Sequence, residues 1–465
     1  MNHQRDAHDT HTTIFANGAT FAAQVADYVV GSRTPHPVGI SDADRFFHTY
    51  VIGRTGSGKS TLLSRFLQQD LVRGHGAALL DPHGDLAESV LHLVPSHRLG
   101  DVIYLNAADF AYPTPFNVLD GVAGTQAELL ASALVSTFKR FWGEQFWGPR
   151  SEYVIKSAVL ALLEGQHRTL LDVRRFLVDE DFRRSITTKL RDPAVAEYWL
   201  REYARYTPSF REEVIAPLQN KLGAFALPPS LRHIVGQPRN LFDLRGVMDD
   251  GKILIVNLAK GQIGEENAAI LGSMILTRLY LAALSRADVP ESARRPFFLY
   301  VDEFPSFGTE ATLRGLLSES RKYRVGVTLA HQHLAQISDE LRGAVFGNVG
   351  TRIAFGVGAE DAEYLATEFH PLARQQLAAL ADHDIYVTGR VAGAALEPLL
   401  ATTLRPHDQI TSYRDQIIQL SRQRYARPLA HVEEVLAHQH VGSHNALPTV
   451  RTKAARMHLR ASRYR

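Results

Sequence analysis

The octapeptide GRTGSGKS, which begins at Gly53, carries the glycines, lysine and hydroxyl of a phosphate-binding loop at the required spacing. Gly53, Gly56 and Gly58 can adopt positive φ angles, so that successive backbone N–H groups converge on an anion at a helix N-terminus. Lys59 would reach the β- and γ-phosphates, and Ser60 would offer its hydroxyl to Mg²⁺. The sequence therefore predicts ATP and Mg²⁺ as cofactors. The residues expected to contact the nucleotide are Arg54, Thr55, Gly56, Ser57, Gly58, Lys59, Ser60 and Thr61.

Two carboxylates, Asp302 and Glu303, end the apolar run FFLYVDE. At the carboxyl end of a central strand, Asp302 would hold the Mg²⁺ and Glu303 would polarise the attacking water, which ATP hydrolysis needs. Alone, such a pair also fits a solvated strand end, but together with the phosphate loop it favours a hydrolytic site. Gln332 ends the next predicted strand, where it would sense the γ-phosphate or orient the water, or else be only a polar strand end.

Two arginines, Arg321 and Arg352, lie just before or at the start of predicted strands. In a parallel sheet this edge is opposite the nucleotide of the same subunit, so neither arginine is expected to reach it. An arginine that stabilises the phosphoryl transition state from here must act in a neighbouring subunit. The alternative for each is a surface arginine at the end of an element.

Other polar residues near the predicted site have less specific interpretations. The segment DPHGDL would place Asp81, His83 and Asp85 near the nucleotide, or would form only a tight turn after a strand. His331 and His333 share a face if they lie on a strand, but no third ligand is evident and a metal pair is disfavoured.

The elements around these residues alternate as in a parallel α/β sheet. The segment HTYVI before the loop has the composition of a buried strand, and the apolar residues after the loop have helical spacing, so strand, loop and helix follow in the required order. This order disfavours a simple glycine turn. Further strands are predicted in GAALLDP from Gly76, DVIYLN from Asp101, Lys252–Leu258, Phe297–Glu303, Gly326–Gln332 and Thr351–Val357, with peripheral strands in DIYVTGR and LLATTL. Intervening helices are predicted at about 264–286, 309–322, 359–368 and 408–424.

Residues 124 to 243 have apolar side chains at helical spacing and no convincing strand, which predicts an all-α domain inserted into the α/β core. The predicted organisation is a partly disordered leader at 1–37, the ATPase core at 38–123 and 244–425, the insertion at 124–243 and a basic tail at 426–465.

Composition limits the partners and the chemistry. The 465 residues are 45% hydrophobic and carry 51 basic and 49 acidic side chains, so a nucleic-acid surface would have to be local. The absence of cysteine excludes disulfides, a cysteine nucleophile and thiolate metal sites. Residues 1–13 lack a signal-sequence core, and the apolar stretch 268–284, interrupted by Arg278, is typical of a buried helix. A cytoplasmic protein is expected, or one held at the inner membrane through partners.

Two features bear on DNA as a partner. The last twenty residues, 446–465, contain basic but no acidic side chains, and such a tail either binds phosphates or is simply solvated. An aromatic cluster in the insertion suits base stacking less well than helical core, because its spacing follows a helix face. The tail's basic residues are Arg451, Lys453, Arg456, Arg460, Arg463 and Arg465, and the cluster is Phe138, Phe141, Trp142, Phe146 and Trp147.

The segments GRTGSGKSTLL, DPHGDL, LYVDEF, RKYRVGVTLAHQ and GNVGTRIAFGV, in this order around the insertion, resemble the FtsK/HerA superfamily of P-loop ATPases. From about residue 38 to 425, the chain most resembles the soluble part of the coupling-protein ATPases of conjugative type IV secretion. The resemblance implies a RecA-like core, a homo-oligomer that is a hexameric ring hydrolysing ATP between subunits, and DNA moved through a central channel. Secretion or relaxase-type proteins would be further partners. By the family pattern Lys59 and Ser60 match the Walker A pair, Asp302 and Glu303 the Walker B pair, Gln332 the sensor and Arg321 the arginine finger.

Coupling proteins usually begin with a pair of membrane helices and HerA proteins with a β-barrel. The sequence predicts neither, because no segment suits a membrane span and residues 14–45 are too few for a barrel.

The main functional hypothesis is a ring-forming ATP hydrolase that translocates DNA. The alternative is an ATPase that energises protein secretion or assembly without DNA, with the insertion as docking surface. An adaptor that only binds ATP is disfavoured by Glu303, since a water-activating group has no purpose without hydrolysis. A nucleotide kinase is disfavoured because no lid or acceptor motif is evident.

Overall fold

The computed structural model describes residues 19–25, 36–143, 148–391, 394–404 and 411–441. Eleven strands form one sheet in the order β2-β1-β11-β10-β9-β3-β8-β7-β4-β6-β5. The strands are β1 (Ala19–Val25), β2 (His36–Ser41), β3 (Thr49–Ile52), β4 (Gly76–Asp81), β5 (Val102–Asn106), β6 (Ile253–Asn257), β7 (Phe297–Val301), β8 (Val325–His331), β9 (Thr351–Ala354), β10 (Asp384–Val391) and β11 (Ala394–Thr403).

The strands from β9 to β5 in this order are parallel to their neighbours, and β10, β11, β1 and β2 extend the sheet with antiparallel pairings. Every strand predicted from the sequence is present. The predicted fold class, a RecA-like P-loop core with a mostly parallel sheet and an all-α insertion, is confirmed.

Two strands were not predicted. β1 and β2 lie largely in the stretch assigned to a leader, and β1 pairs antiparallel with β11, where Ala23 faces Thr403. β2 pairs only with the nearby β1, but the partner of β1 in the sheet, β11, is hundreds of residues away along the chain, so no local pattern could indicate that pairing.

Nineteen helices accompany the sheet in the described residues. They are α1 (Asp42–Arg45), α2 (Lys59–Arg73), α3 (Asp85–Leu91), α4 (Thr125–Trp142), α5 (Pro149–Leu163), α6 (Leu171–Val178), α7 (Glu180–Thr187), α8 (Pro193–Glu197), α9 (Pro208–Ala226), α10 (Pro229–Val235), α11 (Leu244–Asp249), α12 (Lys260–Ile263), α13 (Glu265–Ser285), α14 (Glu310–Glu319), α15 (Asp339–Asn348), α16 (Ala359–Glu368), α17 (Arg374–Ala378), α18 (Arg414–Tyr425) and α19 (Leu429–Val441).

The parallel part of the sheet is buried on both faces, which explains its nearly continuous apolar strands. Alternate residues enter two cores: in β6, Ile253 and Ile255 face α2, α3 and α18, whereas Leu254 and Val256 face α13, α14 and α15. This three-layer packing leaves the ends of the parallel strands as the accessible edges of the sheet.

In its described residues, the stretch between β5 and β6 contains the helices α4 to α11, a π-helical turn at Tyr198–Glu202 and connecting loops, and no strand. Its apolar side chains join the core on the α13 face of the sheet. The all-α character predicted for 124–243 holds for the described part, residues 124–143 and 148–243.

One described helical segment, Glu265–Asp288, is long and apolar enough to cross a bilayer, with a hydropathy of 1.6. However, 78% of its most apolar window is buried inside the protein. It includes α13, which covers one face of the sheet, so it is a core helix, as predicted from the sequence.

Candidate nucleotide site

The glycine loop joins β3 to the N-terminus of α2. Gly56 and Gly58 have φ angles of 80° and 113°, and Gly58 caps α2 without any side chain. This conformation favours glycine, because a Cβ would be strained there. The backbone N–H groups at the start of the fifteen-residue helix α2 are therefore accessible to an anion, as the sequence predicts.

Lys59, the first residue of α2, turns back over the loop. Its Nζ donates hydrogen bonds to the carbonyl oxygens of Gly53, at 2.5 Å, and Arg54, at 3.0 Å. The side chain is buried, which lowers its pKa, while Glu303 and Asp302 oppose this shift. The ammonium group thus lies between the loop and the two carboxylates that the sequence assigned to the same site.

Asp302 and Glu303 follow the end of β7, next to the end of β4. The backbone N–H of Asp302 donates to the carbonyl of Leu80 at 3.0 Å, which fixes its position beside Asp81. Burial, with contributions from Asp81 and Glu303, raises the pKa of Asp302 to about 7, and Lys59 opposes the shift. A buried carboxyl beside other carboxylates suits a cation, which would stabilise its ionised form.

Glu303 has a left-handed backbone conformation, with φ of 46°. Its N–H donates to Asp302 Oδ1 at 3.1 Å, and its carbonyl accepts from the N–H of Ser306 at 2.8 Å. A non-glycine residue in this conformation is strained and must be held by its surroundings. The loop after β7 therefore sets where the Glu303 carboxylate points.

Gln332 lies directly after β8 and reaches the glycine loop: Thr55 Oγ1 donates to its Oε1 at 2.6 Å. This contact joins two segments that the sequence could place only at the same edge. The structure thus brings Lys59, Asp302, Glu303 and Gln332 together at the carboxyl edge of the parallel strands, where open α/β sheets bind ligands.

The remaining loop residues differ in exposure. Ser60, at the start of α2, and Arg54 are exposed, and Thr61 is half-buried. Ser57 is buried, and its Oγ makes no hydrogen bond with any described group. A hydroxyl buried without a partner beside accessible N–H groups fits a phosphate-bearing ligand.

Asp81 stabilises the turn of DPHGDL. Its Oδ1 accepts from the N–H of His83 and its Oδ2 from the N–H of Ala87, each at 2.9 Å. The carboxylate thus holds the turn and the start of α3, as the turn interpretation predicts, and it lies beside Asp302. His83 and Asp85 are exposed.

The model of the type IV secretion-system coupling protein DNA-binding domain matches residues 37–375, well over half of the chain. The chain belongs to this family. Comparison with curated protein sequences found no match.

Solved structures of similar fold include two of the plasmid coupling protein TrwB. The complex with a non-hydrolysable ATP analogue has 16% identity and a TM-score of 0.63, over 87% of this chain and 93% of that chain. The complex with ADP and Mg²⁺ has 18% identity and a TM-score of 0.61, over 86% and 92%. VirB4 of Thermoanaerobacter pseudethanolicus has 14% identity and a TM-score of 0.57, over 87% and 99%. At these identities the likeness shows a common fold.

In this coupling-protein family member, the two arginines considered as trans-acting groups lie at the opposite, N-terminal edge of the sheet. Arg352 forms an ion pair with Glu368 at 3.3 Å and donates to the carbonyl of Phe346 at 2.8 Å. Arg321 is exposed, and its guanidinium lies 3.5 Å from the ring centroid of Phe47. Among the described residues, Arg321 has no ion-pair partner.

His331 and His333 have separate partners. The ring of His331 is fully buried, and its Nε2 lies 2.6 Å from the hydroxyl of Tyr50. Burial lowers the pKa of His331 to about 3, so the ring is neutral. His333 is exposed and lies 3.4 Å from Asp361. These contacts are structural, and no group of three potential metal-binding side chains among the described residues includes the two histidines.

Two residues near the site were missed by sequence reasoning. Gln336 Oε1 accepts from the backbone N–H groups of Gln332 and His333, at 3.2 and 3.0 Å, and so holds the turn that follows β8. The N–H of His383 donates to the carbonyl of Ser57 at 2.8 Å. No motif marks either residue, because both contacts depend on the tertiary fold.

The aromatic cluster considered for base stacking is core where it is described. Phe138 and Trp142 are buried, with ring centroids 4.4 Å apart and parallel planes. Phe141 is partly buried against the same core. Phe146 and Trp147, and the basic residues of 446–465, lie outside the described residues.

Proposed function

We propose that this protein is a ring-forming ATP hydrolase that translocates DNA. The observation that carries the proposal is the meeting of Lys59, Asp302, Glu303 and Gln332 at one edge of the sheet, while Arg321 lies exposed at the other. The first group would supply the contacts to phosphate, metal and water from one subunit. The second is useful only to a different subunit.

The described residues fit a nucleoside triphosphate with Mg²⁺. The glycine-loop N–H groups and Lys59 would hold the phosphates, and Ser60 and Asp302 would hold the metal, which supplies charge neutralisation at the phosphoryl group. Glu303 would accept the proton of the attacking water, and Gln332 would orient that water. Arg321 would extend from a neighbouring subunit towards this edge.

DNA as the moved substrate is supported by the family, which is described as a coupling-protein DNA-binding domain. We propose the division into core, insertion at 124–243 and C-terminal tail, a hexamer as the working assembly, and secretion or relaxase-type proteins as further partners. The proposed location is the cytoplasm, with attachment to the inner membrane through such partners.

The proposal is tested by steady-state ATP turnover with and without duplex and single-stranded DNA, over a range of salt. We expect DNA to raise turnover at low salt and this effect to fall as salt rises. Lys59→Ala should abolish turnover, and Glu303→Gln should retain bound ATP without hydrolysing it. Turnover that ignores DNA but responds to a secretion partner would favour the protein-secretion alternative.

A further inference from the structure

Arg140, near the end of α4, is bonded to the loop that follows Glu303. Its guanidinium donates hydrogen bonds to two carbonyl oxygens of that loop, those of Pro305 and Gly308. A planar guanidinium can bond two acceptors at once, and such charge-assisted bonds are stronger than neutral ones. The first helix of the insertion is thereby attached to the segment that carries Glu303.

The loop transmits position to Glu303 through short hydrogen bonds. Ser306 N–H donates to the carbonyl of Glu303 at 2.8 Å, and Gly308 N–H donates to the carbonyl of Phe304 at 2.9 Å. Phe304 and Phe307 are fully buried and anchor the loop from below. A change at the Pro305 or Gly308 carbonyl therefore moves the strained Glu303 backbone, not a free loop.

The neighbouring residue, Lys139, connects the same turn of α4 to the rest of the insertion. Its Nζ lies 2.7 Å from Glu152 Oε1 on α5. Adjacent basic side chains thus contact the catalytic loop and the second insertion helix. A cavity of about 450 Å³, lined in part by Arg140, Pro305 and Gln336, lies beside the contact between Arg140 and the loop.

We propose that Arg140 is a positioning residue through which the helical insertion sets the placement of Glu303 and so the rate of hydrolysis. The inference rests on the proposed ATPase function. A ligand held by the insertion would change turnover at the nucleotide site through the contact of Arg140 with the carbonyls of Pro305 and Gly308.

The test compares Arg140→Ala, Arg140→Lys and Arg314→Ala. Arg314 lines the same cavity and is exposed, and its guanidinium makes no hydrogen bond or ion pair with a described residue, so it is the matched control. Four quantities are measured: kcat, KM for ATP, affinity for a fluorescent ADP analogue, and hydrogen–deuterium exchange of the peptide covering residues 303–309. Each turnover is measured with and without DNA.

We expect Arg140→Ala to lower kcat about tenfold or more, because a misplaced catalytic group costs up to about 10²-fold. KM and ADP affinity should change less than about twofold, since the phosphate loop is untouched. Exchange in residues 303–309 should become faster, and stimulation by DNA should be lost. Arg314→Ala should match the parent in all four measurements.

Parent-like kcat, stimulation and exchange in Arg140→Ala would overturn the inference. If that variant does not fold, Arg140→Lys decides, because one ammonium group cannot reproduce the planar two-acceptor contact; parent-like kcat there would also overturn it. A parent protein without ATP turnover would refute the proposed function instead. The exchange measurement would still test the Arg140 contact.

Discussion

The two edges of the parallel sheet differ in how their charged side chains are neutralised. At the N-terminal edge, Arg45 is fully buried and donates to both oxygens of Asp70, at 2.6 and 2.8 Å, and to the hydroxyl of Tyr300 at 2.7 Å. Arg352 is likewise paired with Glu368 within its own chain. These charges have their partners inside the subunit and serve the fold.

At the carboxyl edge, by contrast, carboxylates accumulate. Burial, together with the nearby carboxylates of Asp81 and Glu303, raises the pKa of Asp302 to about 7 despite Lys59. This arrangement destabilises the ionised form of the Asp302 carboxyl, so it does not stabilise the fold by itself. A bound cation would stabilise the ionised form. Of the two arginines considered as trans-acting groups, Arg352 is paired within its own chain, whereas Arg321 is exposed and has no ion-pair partner among the described residues. We therefore assign Arg321 to another subunit.

The comparison is tested most strongly by the two arginines of the N-terminal edge. Arg321→Ala should reduce ATP turnover about 10³-fold, the lower range for loss of an arginine finger, with its melting temperature preserved. Arg352→Ala should reduce stability through loss of the Glu368 pair while the folded protein keeps its turnover. The measurements are kcat and thermal unfolding of both variants.

Lys322→Ala is the control for Arg321→Ala, because Lys322 is the adjacent residue, 58% exposed, and pairs only at the surface with Glu319 at 3.5 Å. Its turnover should equal that of the parent. A larger loss of turnover in Arg352→Ala than in Arg321→Ala would reverse the assignment of the two arginines.

The buried charge network gives the next largest effect. Asp70→Asn should lower the free energy of unfolding by about 3 kcal/mol, because the buried Arg45 guanidinium loses its two-oxygen partner and keeps the longer contact with Asp42, at 3.5 Å. Urea unfolding measures this loss. The control is Asp339→Asn at the exposed pair with Arg342, where Asp339 is 84% exposed and a change below about 1 kcal/mol is expected. Equal losses in the two variants would contradict a structural role for this edge.

The sequence predicted the carboxyl edge better than the N-terminal edge for a physical reason. The groups Lys59, Asp302 and Gln332 each adjoin a buried strand, and parallel strands bring their carboxyl ends to one edge, so local patterns were enough. Arg140 and Gln336 contact backbone atoms of other segments. The spacing of residues in the sequence does not predict such contacts. The attachment of β1 to β11 was missed for the same reason.

His331 lies at the carboxyl edge of the sheet, but its contacts stabilise the fold. Its pKa is lowered to about 3 by burial, so the unfolded chain binds a proton below its ordinary pKa of 6.5 and the folded chain does not. Stability that depends on this residue is therefore present above about pH 6.5 and is lost as pH falls towards 3.

The parent should thus lose about 2 kcal/mol between pH 7 and pH 5 that His331→Asn does not lose. Urea unfolding of both proteins at the two pH values measures this difference, and groups common to both cancel. The same loss in parent and variant would mean that His331 is not the buried neutral base described above.

The central claim is that one subunit supplies the nucleotide loop and another supplies Arg321. It is tested most directly by ATP turnover of mixed oligomers purified from Lys59→Ala and Arg321→Ala subunits, with oligomer mass measured alongside. Each variant alone should be inactive. The mixture should regain turnover, because some interfaces combine the intact loop of the Arg321→Ala subunit with the intact arginine of the Lys59→Ala subunit. Mixed oligomers as inactive as either variant, or full turnover by Arg321→Ala alone, would contradict the claim.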